Sequence, residues 1–259
     1  MKDKQEFEIH DLEWTPEKIG RFWDYESQNA AKRGEYFAKQ VGDAIVRIAR
    51  RHGALSEPVL DYGSGTGHLT RRLVQEGIRC HACDYSPASV EALNRDLAGE
   101  PTFGGCERLQ ELPSGMAEGT FGAVFLIETL EHLLPEWRTR TLGEVRRLLV
   151  PGGHVVATVP FAEDLEAAKV ICADCGAVFH RVQHVSSYDE TRLAAAMAES
   201  GFEAIICRPM DLTLMTDRMQ GRGKRIRRAL RRLLARAGLL QSRREPTPNL
   251  VYIGKKAGR

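Results

Sequence analysis

The residues that decide the fold are Val59-Leu60-Asp61-Tyr62-Gly63-Ser64-Gly65-Thr66-Gly67-His68-Leu69-Thr70. A short apolar run enters three glycines spaced every second residue, and an amphipathic segment follows, which reads as strand, tight turn and helix. Glycine lacks a Cβ, so the main chain there takes positive φ and a ligand can lie almost against it. Helix amides pointing into the turn favour a polar, partly anionic ligand. A dinucleotide turn is G-x-G-x-x-G; here the third glycine arrives one residue early, and Asp61 closes the strand before the first.

Working outward, the pattern alternates strand and helix. A helix over Thr66 to Gln75 ends at Gly77, and a strand over Ile78 to Cys83 ends in Asp84. An acid at the tip of the second strand of a βαβ unit faces the ribose of a bound nucleoside. The alternative, a helix N-cap, is already supplied by Ser86-Pro87. Thr102 to Arg108 reads as a third strand. Thr120 to Ile127 is continuously apolar, as in the middle of a parallel sheet, and leads into Glu128-Thr129-Leu130-Glu131-His132-Leu133. A helix over Pro135 to Leu149 stops at Val150-Pro151-Gly152-Gly153, before a strand over His154 to Pro160. Upstream, Tyr36 to Arg51 has the apolar spacing of an amphipathic helix. Downstream come a helix over Asp189 to Ser200 and strands over Phe202 to Arg208 and Asn249 to Lys255.

The glycine trio with Asp61, the acid at position 84, the E-x-L-E-H-L run and the L-x-P-G-G turn occur in this order between Val59 and Pro160. Together they resemble the class I S-adenosylmethionine-dependent methyltransferases, in the small-molecule branch that includes quinone-biosynthesis O-methyltransferases. The resemblance implies an α/β fold, a doubly wound Rossmann-like sheet of seven strands with the last antiparallel and helices on both faces. It implies S-adenosylmethionine as cofactor, held by Asp61, Gly63, Ser64, Gly65, Gly67, Asp84, Tyr85, Leu109 and Glu128. The implied reaction moves its methyl group to a small-molecule, lipid-linked or glycan acceptor, with residues 1–34 as an arm or lid and 35–259 as the catalytic domain. Arg33 reads as a solvated surface arginine or, alternatively, a partner of the cofactor's carboxylate, and the arm's aromatics are Trp14, Phe22, Trp23 and Tyr25. Two positions depart from the family pattern. Arg108 and Leu109 stand where an Asp often meets the adenine, and Phe121-Gly122 replaces Phe-Asp. His132 falls near the crevice at the strand ends, as a general base or a helix-packing residue.

An insert over 161–188 carries Cys172, Cys175, His180 and His184 in the pattern C-x2-C-x4-H-x3-H. Two thiolates in a knuckle and two histidines spaced to share a helix face suit one structural zinc ion. With three protein ligands instead, His184 would be free to face the substrate and act in catalysis. Reduced thiols are the alternative, and Cys80 and Cys83 read as buried small side chains.

The chain of 259 residues has a net charge of +2, but the charge is uneven. Arg218 to Arg244 holds eleven basic residues and no acid, leaving 26 basic against 35 acidic residues elsewhere. Within the insert 212–247, Ile226, Leu230, Leu233, Leu234 and Ala237 align on one face of a basic helix. Such a helix over 221–238 suits an anionic membrane surface; RNA binding and a solvated cationic face are the alternatives. The absence of a long apolar run or a signal-peptide h-region points to a cytoplasmic protein, peripheral on the inner face of the membrane if that helix binds lipid. Two rival classes remain: a nicotinamide oxidoreductase, disfavoured by the glycine spacing and the later elements, and a cofactor-binding module without catalysis.

Overall fold

The computed structural model describes residues 7–28, 37–219 and 248–258. Arg33 and the basic run at 221–238 lie outside the described residues.

The elements in chain order are β1 (His10–Asp11), α1 (Pro16–Gln28), α2 (Phe37–Arg51), β2 (Val59–Tyr62), α3 (His68–Gln75), β3 (Cys80–Asp84), α4 (Pro87–Asp96), β4 (Phe103–Arg108), β5 (Phe121–Ile127), α5 (Pro135–Leu148), β6 (Leu149–Pro160), β7 (Lys169–Ile171), β8 (Ala177–His180), α6 (Glu190–Glu199), β9 (Phe202–Met210), α7 (Leu212–Met219) and β10 (Asn249–Lys256). Seven of the strands form one sheet in the order β4-β3-β2-β5-β6-β10-β9. The first five run parallel, while β10 is antiparallel to both its neighbours. This is the doubly wound seven-stranded architecture implied by the sequence.

The apolar alternation explains why both faces are covered. Along β5, Ala123, Phe125 and Ile127 join a core with Val41, Ile45, Leu69, Leu73 and Leu93. Val124 and Leu126, on the opposite face, join Leu142, Val145, Leu148, Leu193 and Met197. An unbroken apolar strand therefore serves two cores, one under α2, α3 and α4 and one under α5 and α6. Cys80 and Cys83 are buried within these layers as small apolar side chains.

The insert after β6 differs from the sequence expectation. His180 ends a strand and His184 follows in irregular chain, so the two do not share a helix face. Residues 169–180 form an antiparallel hairpin, with Lys169 opposite His180 and Ile171 opposite Val178. β1 adds to it in parallel, giving a second, three-stranded sheet in the order β1-β8-β7. Gly176 permits the approach: with φ +81, it brings its Cα so near Glu8 that an added Cβ would lie 2.1 Å from the Glu8 carbonyl oxygen. β1 and the hairpin thus position α1 beside the strand tips of the main sheet. Among the described residues no helix is long and apolar enough to cross a membrane.

Candidate active site

A cavity of about 760 Å³ lies at the carboxyl ends of β2, β3 and β5. Crevices at that edge of open α/β sheets are where such folds bind ligands. A second cavity of about 440 Å³ lies at Arg47, His52, Met210 and Met215 and shares no residue with the glycine turn.

Gly63, Ser64, Gly65, Asp61, Asp84, Tyr85, Leu109 and Glu128 all line the larger cavity; Gly67 does not. Gly63, Gly65 and Gly67 have φ of 76, 51 and 72 degrees, a conformation that side chains resist. The Gly63 and Ser64 amides donate to the Cys83 carbonyl at 2.9 and 3.1 Å, which pins the turn to β3. Asp84 closes the arrangement, accepting from the Gly65 amide at 2.8 Å and the Ser86 amide at 2.9 Å. Burial raises its pKa, against those two amide bonds that lower it.

Asp61 has a different place. Its Oδ2 accepts from the Thr70 hydroxyl at 2.6 Å and the Thr70 amide at 3.1 Å, bracing α3 against β2. Burial pushes its pKa up to about 6 despite those bonds. Gly67, preceding α3, is needed for packing, since a Cβ there would stand 2.3 Å from Leu93 Cδ1. Residues fit a nucleoside bearing a sulfonium: bare main chain at Gly63 and Gly65, the Asp84 carboxylate at the tip of β3, and an apolar wall from Leu109. A Cβ on Gly63 would meet Thr129 Oγ1 at 3.0 Å, so no side chain fills that cradle.

The far end of the cavity is built by α1 and the insert. Trp23 meets the His132 ring edge to face at 4.7 Å, and His132 meets the His184 ring at 4.7 Å. Gln183 organises them. Its Oε1 accepts from Trp23 Nε1 at 2.8 Å, its Nε2 donates to the His132 carbonyl at 2.9 Å, and its own carbonyl faces His132 Nδ1 at 3.3 Å. Gln183 is fully buried at φ +60, and Glu128 sits at φ +49. Strain of this kind persists only where surrounding contacts over-determine it, and it clusters at functional sites. Burial pushes His132 down to about 3, with His184 and His180 adding to the effect. Burial thus favours the neutral imidazole at His132. Glu128, which accepts from Asn249 Nδ2 at 3.2 Å, is pushed up to about 7 by burial.

The four-ligand zinc set is not assembled. Cys172 and Cys175 lie at the hairpin tip, where the Cys172 amide donates to the Ala177 carbonyl and the Gly176 amide to the Cys172 carbonyl. His180 is at the other end of the hairpin, opposite Lys169. An extended strand separates sulfurs from imidazoles, where a helix would have brought them to one face. His180 and His184 instead stack at 4.7 Å and share Glu163, which contacts His184 Nδ1 and lies 3.5 Å from His180 Nε2. Among the described residues the groups able to surround an ion are Glu131, His132, His184 and Glu163, His180, His184. Sequence reasoning missed Glu163, Gln183 and a site role for Glu131. Only Glu131 carried a signal, as part of the E-x-L-E-H run.

Residues 31–206 match the sequence profile of a family described as methyltransferase domain. The chain is 28% identical over 134 residues to the carboxy-S-adenosyl-L-methionine synthase of Pseudomonas entomophila, covering 49% of this chain and 54% of that protein. It is 27% identical to the synthase of the same name from Pseudomonas putida, covering 71% of this chain and 74% of that protein. The match to the first of these spans about half of the relative's length. Among solved structures, 1,6-didemethyltoxoflavin-N1-methyltransferase of Burkholderia thailandensis superposes with a TM-score of 0.63 at 16% identity, covering 96% of this chain and 94% of the other. That likeness shows a shared fold.

Proposed function

Because the chain belongs to the class I S-adenosylmethionine-dependent methyltransferase family, we propose that it carries a methyl group from S-adenosylmethionine to a small-molecule acceptor seated against Trp23, His132 and His184. The observation that carries this reading is that one cavity runs without a break from the glycine turn to the two histidines. When bound, S-adenosylmethionine supplies a methyl group already activated by a sulfonium. The chain's work is then mostly positioning, and proximity and orientation can supply about 7 to 11 kcal/mol of a barrier.

In this reading Asp84 accepts from the ribose hydroxyls, while Gly63 and Gly65 let the main chain approach the ligand. Leu109 packs beside the base and Glu128 borders the methionine end. The Trp23 face excludes water from the acceptor end. His132 and His184 stand at that end, where a ring nitrogen accepting from the acceptor's O–H or N–H turns the nucleophilic atom's own lone pair toward the methyl group; as the new bond forms and S-adenosylhomocysteine leaves, the acceptor's proton passes to water. Isothermal calorimetry with S-adenosylmethionine and S-adenosylhomocysteine tests the reading: binding to the wild type and loss of binding in Gly65→Arg are expected. Absence of binding to the wild-type chain would overturn it.

We also propose that the basic segment 221–238 contacts an anionic membrane surface, which would bring a lipid-linked acceptor to the cavity. Its support is the charge and apolar pattern of the sequence. Flotation with anionic and neutral liposomes checks it: co-flotation only with anionic vesicles is expected, and lost on deleting 221–238.

A further inference from the structure

Glu131 is fully buried, and neither of its carboxylate oxygens has a hydrogen-bond partner. His132 Nε2 lies 3.9 Å from Glu131 Oε1, beyond hydrogen-bond distance. Glu128, a partly buried acid that lines the cavity, adds like-charge repulsion. A buried carboxylate left without hydrogen bonds or a counter-charge is among the costliest groups a fold can carry. The surroundings explain what would offset that cost.

The protonation of the neighbouring imidazoles follows from their partners. The Gln183 carbonyl can only accept, so His132 Nδ1 carries the proton and Nε2 the lone pair. Glu163, as a carboxylate, offers only acceptor oxygens, so it too accepts. His184 Nδ1 therefore donates to Glu163, and His184 Nε2 has the lone pair. His180 is the reverse. The His184 amide donates to His180 Nδ1 at 3.2 Å, which places the proton on Nε2, facing Glu163. His180 cannot offer Nε2 to a cation without losing that amide bond.

From this arrangement we infer that Glu131, His132 and His184 form a binding site for a divalent first-row transition ion, whose remaining coordination positions open to the cavity and take an oxygen of the acceptor. The three donor atoms lie within 4.8 Å of one another, so small side-chain movements bring them around one ion. Two imidazoles and one carboxylate with open positions suit iron, manganese, cobalt or zinc. Gln183 and Glu163 are the outer partners that fix each ring's tautomer, as metal-bound histidines require. His180 holds Glu163 in turn. Both histidines also line the cavity, whereas Glu131 is fully buried and does not. An ion there would hold a hydroxyl or enol oxygen by its charge and lower its pKa. The binding step stands apart from methyl transfer and is read without turnover.

Titration of the metal-stripped full chain with Co²⁺, followed by visible absorption and calorimetry, tests the inference. One Co²⁺ per chain is expected, with d–d bands of a nitrogen and oxygen site and no thiolate charge-transfer band. Glu131→Gln keeps the volume of the side chain and is expected to weaken binding roughly a hundredfold or more; Glu163→Gln is expected to cost about 10- to 100-fold. Cys172→Ser/Cys175→Ser should bind as the wild type does. Thermal melting and S-adenosylmethionine binding of the same variants report folding. Equal affinity in wild type and Glu131→Gln, a thiolate band, or loss of cobalt in the double cysteine variant would overturn the inference. Failure of the wild type to bind S-adenosylmethionine would instead count against the methyl-transfer reading alone.

Discussion

Gly63 and Gly67 share a backbone sign and differ in purpose. At Gly63 an added Cβ would crowd Thr129 Oγ1 at 3.0 Å and intrude on the cradle, whereas at Gly67 it would strike Leu93 away from the cavity. Gly67→Ala is therefore expected to destabilise the fold by about 2 to 3 kcal/mol, from positive φ and overpacking, with little change in cofactor affinity of the folded protein. Gly63→Ala is expected to lose cofactor affinity by about tenfold or more at a smaller cost in stability. Chemical denaturation and calorimetry on the two variants separate the cases, and equal behaviour would refute the distinction. At Asp84 the tip position and the glycine spacing were enough to place the side chain at the cavity. Asp61 shows the limit: the sequence put an acid before the first glycine, but only the fold shows that the acid's Oδ2 is committed to Thr70.

At the scale of elements, the helix boundaries and main-sheet strands were legible because each carries its own periodicity and stop signals. The hairpin of β7 and β8 was not. Histidines four apart suggest a helix, but Ala177-Val178-Phe179 is extended because β1 and β7 flank it on both sides. Glu163 reaches His184 from 21 residues away, a contact that no local spacing encodes. Element α5 offers a prediction of a different kind. The buried Glu144 carboxylate accepts from Arg147 Nη2 at 2.7 Å, Arg147 Nε at 2.8 Å and the Ser114 hydroxyl at 2.6 Å. Burial works to raise its pKa, yet these bonds outweigh it and leave the pKa lowered from 4.5. A depressed folded pKa gives stability that is present above the unfolded value and lost as pH falls through the folded one. Glu144→Gln is thus expected to cost about 1 to 3 kcal/mol at pH 7, where the wild-type group is ionised. The difference should shrink as the pH is taken below the ordinary glutamate range and through the lowered folded-state pKa. Urea unfolding of both proteins at pH 7 and across that lower range measures this, and a pH-independent difference would argue against the ionic bonds as its source.

For the whole molecule, the reading that one cavity holds the ligand predicts linkage between binding and stability. A ligand at 100 times its dissociation constant adds about 2.7 kcal/mol to the folded state. S-adenosylhomocysteine should accordingly raise the melting temperature of the wild type and leave that of Gly65→Arg unchanged. Removal of residues 1–28 takes away the wall formed by Ile19, Trp23 and Ser27 while leaving the seven-stranded sheet complete. The truncated chain is expected to keep its far-ultraviolet dichroism and to bind the ligand more weakly, as calorimetry would report. The small three-stranded sheet adds a mechanical consequence. β1 leads into α1, and β8, which ends at His180, leads into the loop bearing Gln183 and His184, so two walls of that end of the cavity are stitched together. Trp23 cannot swing outward without tugging Gln183 and, through it, the ring of His132. If the acceptor enters past Trp23, as proposed, its admission is expected to loosen the histidine cluster, and a disturbance at the distant hairpin tip to be felt at the mouth.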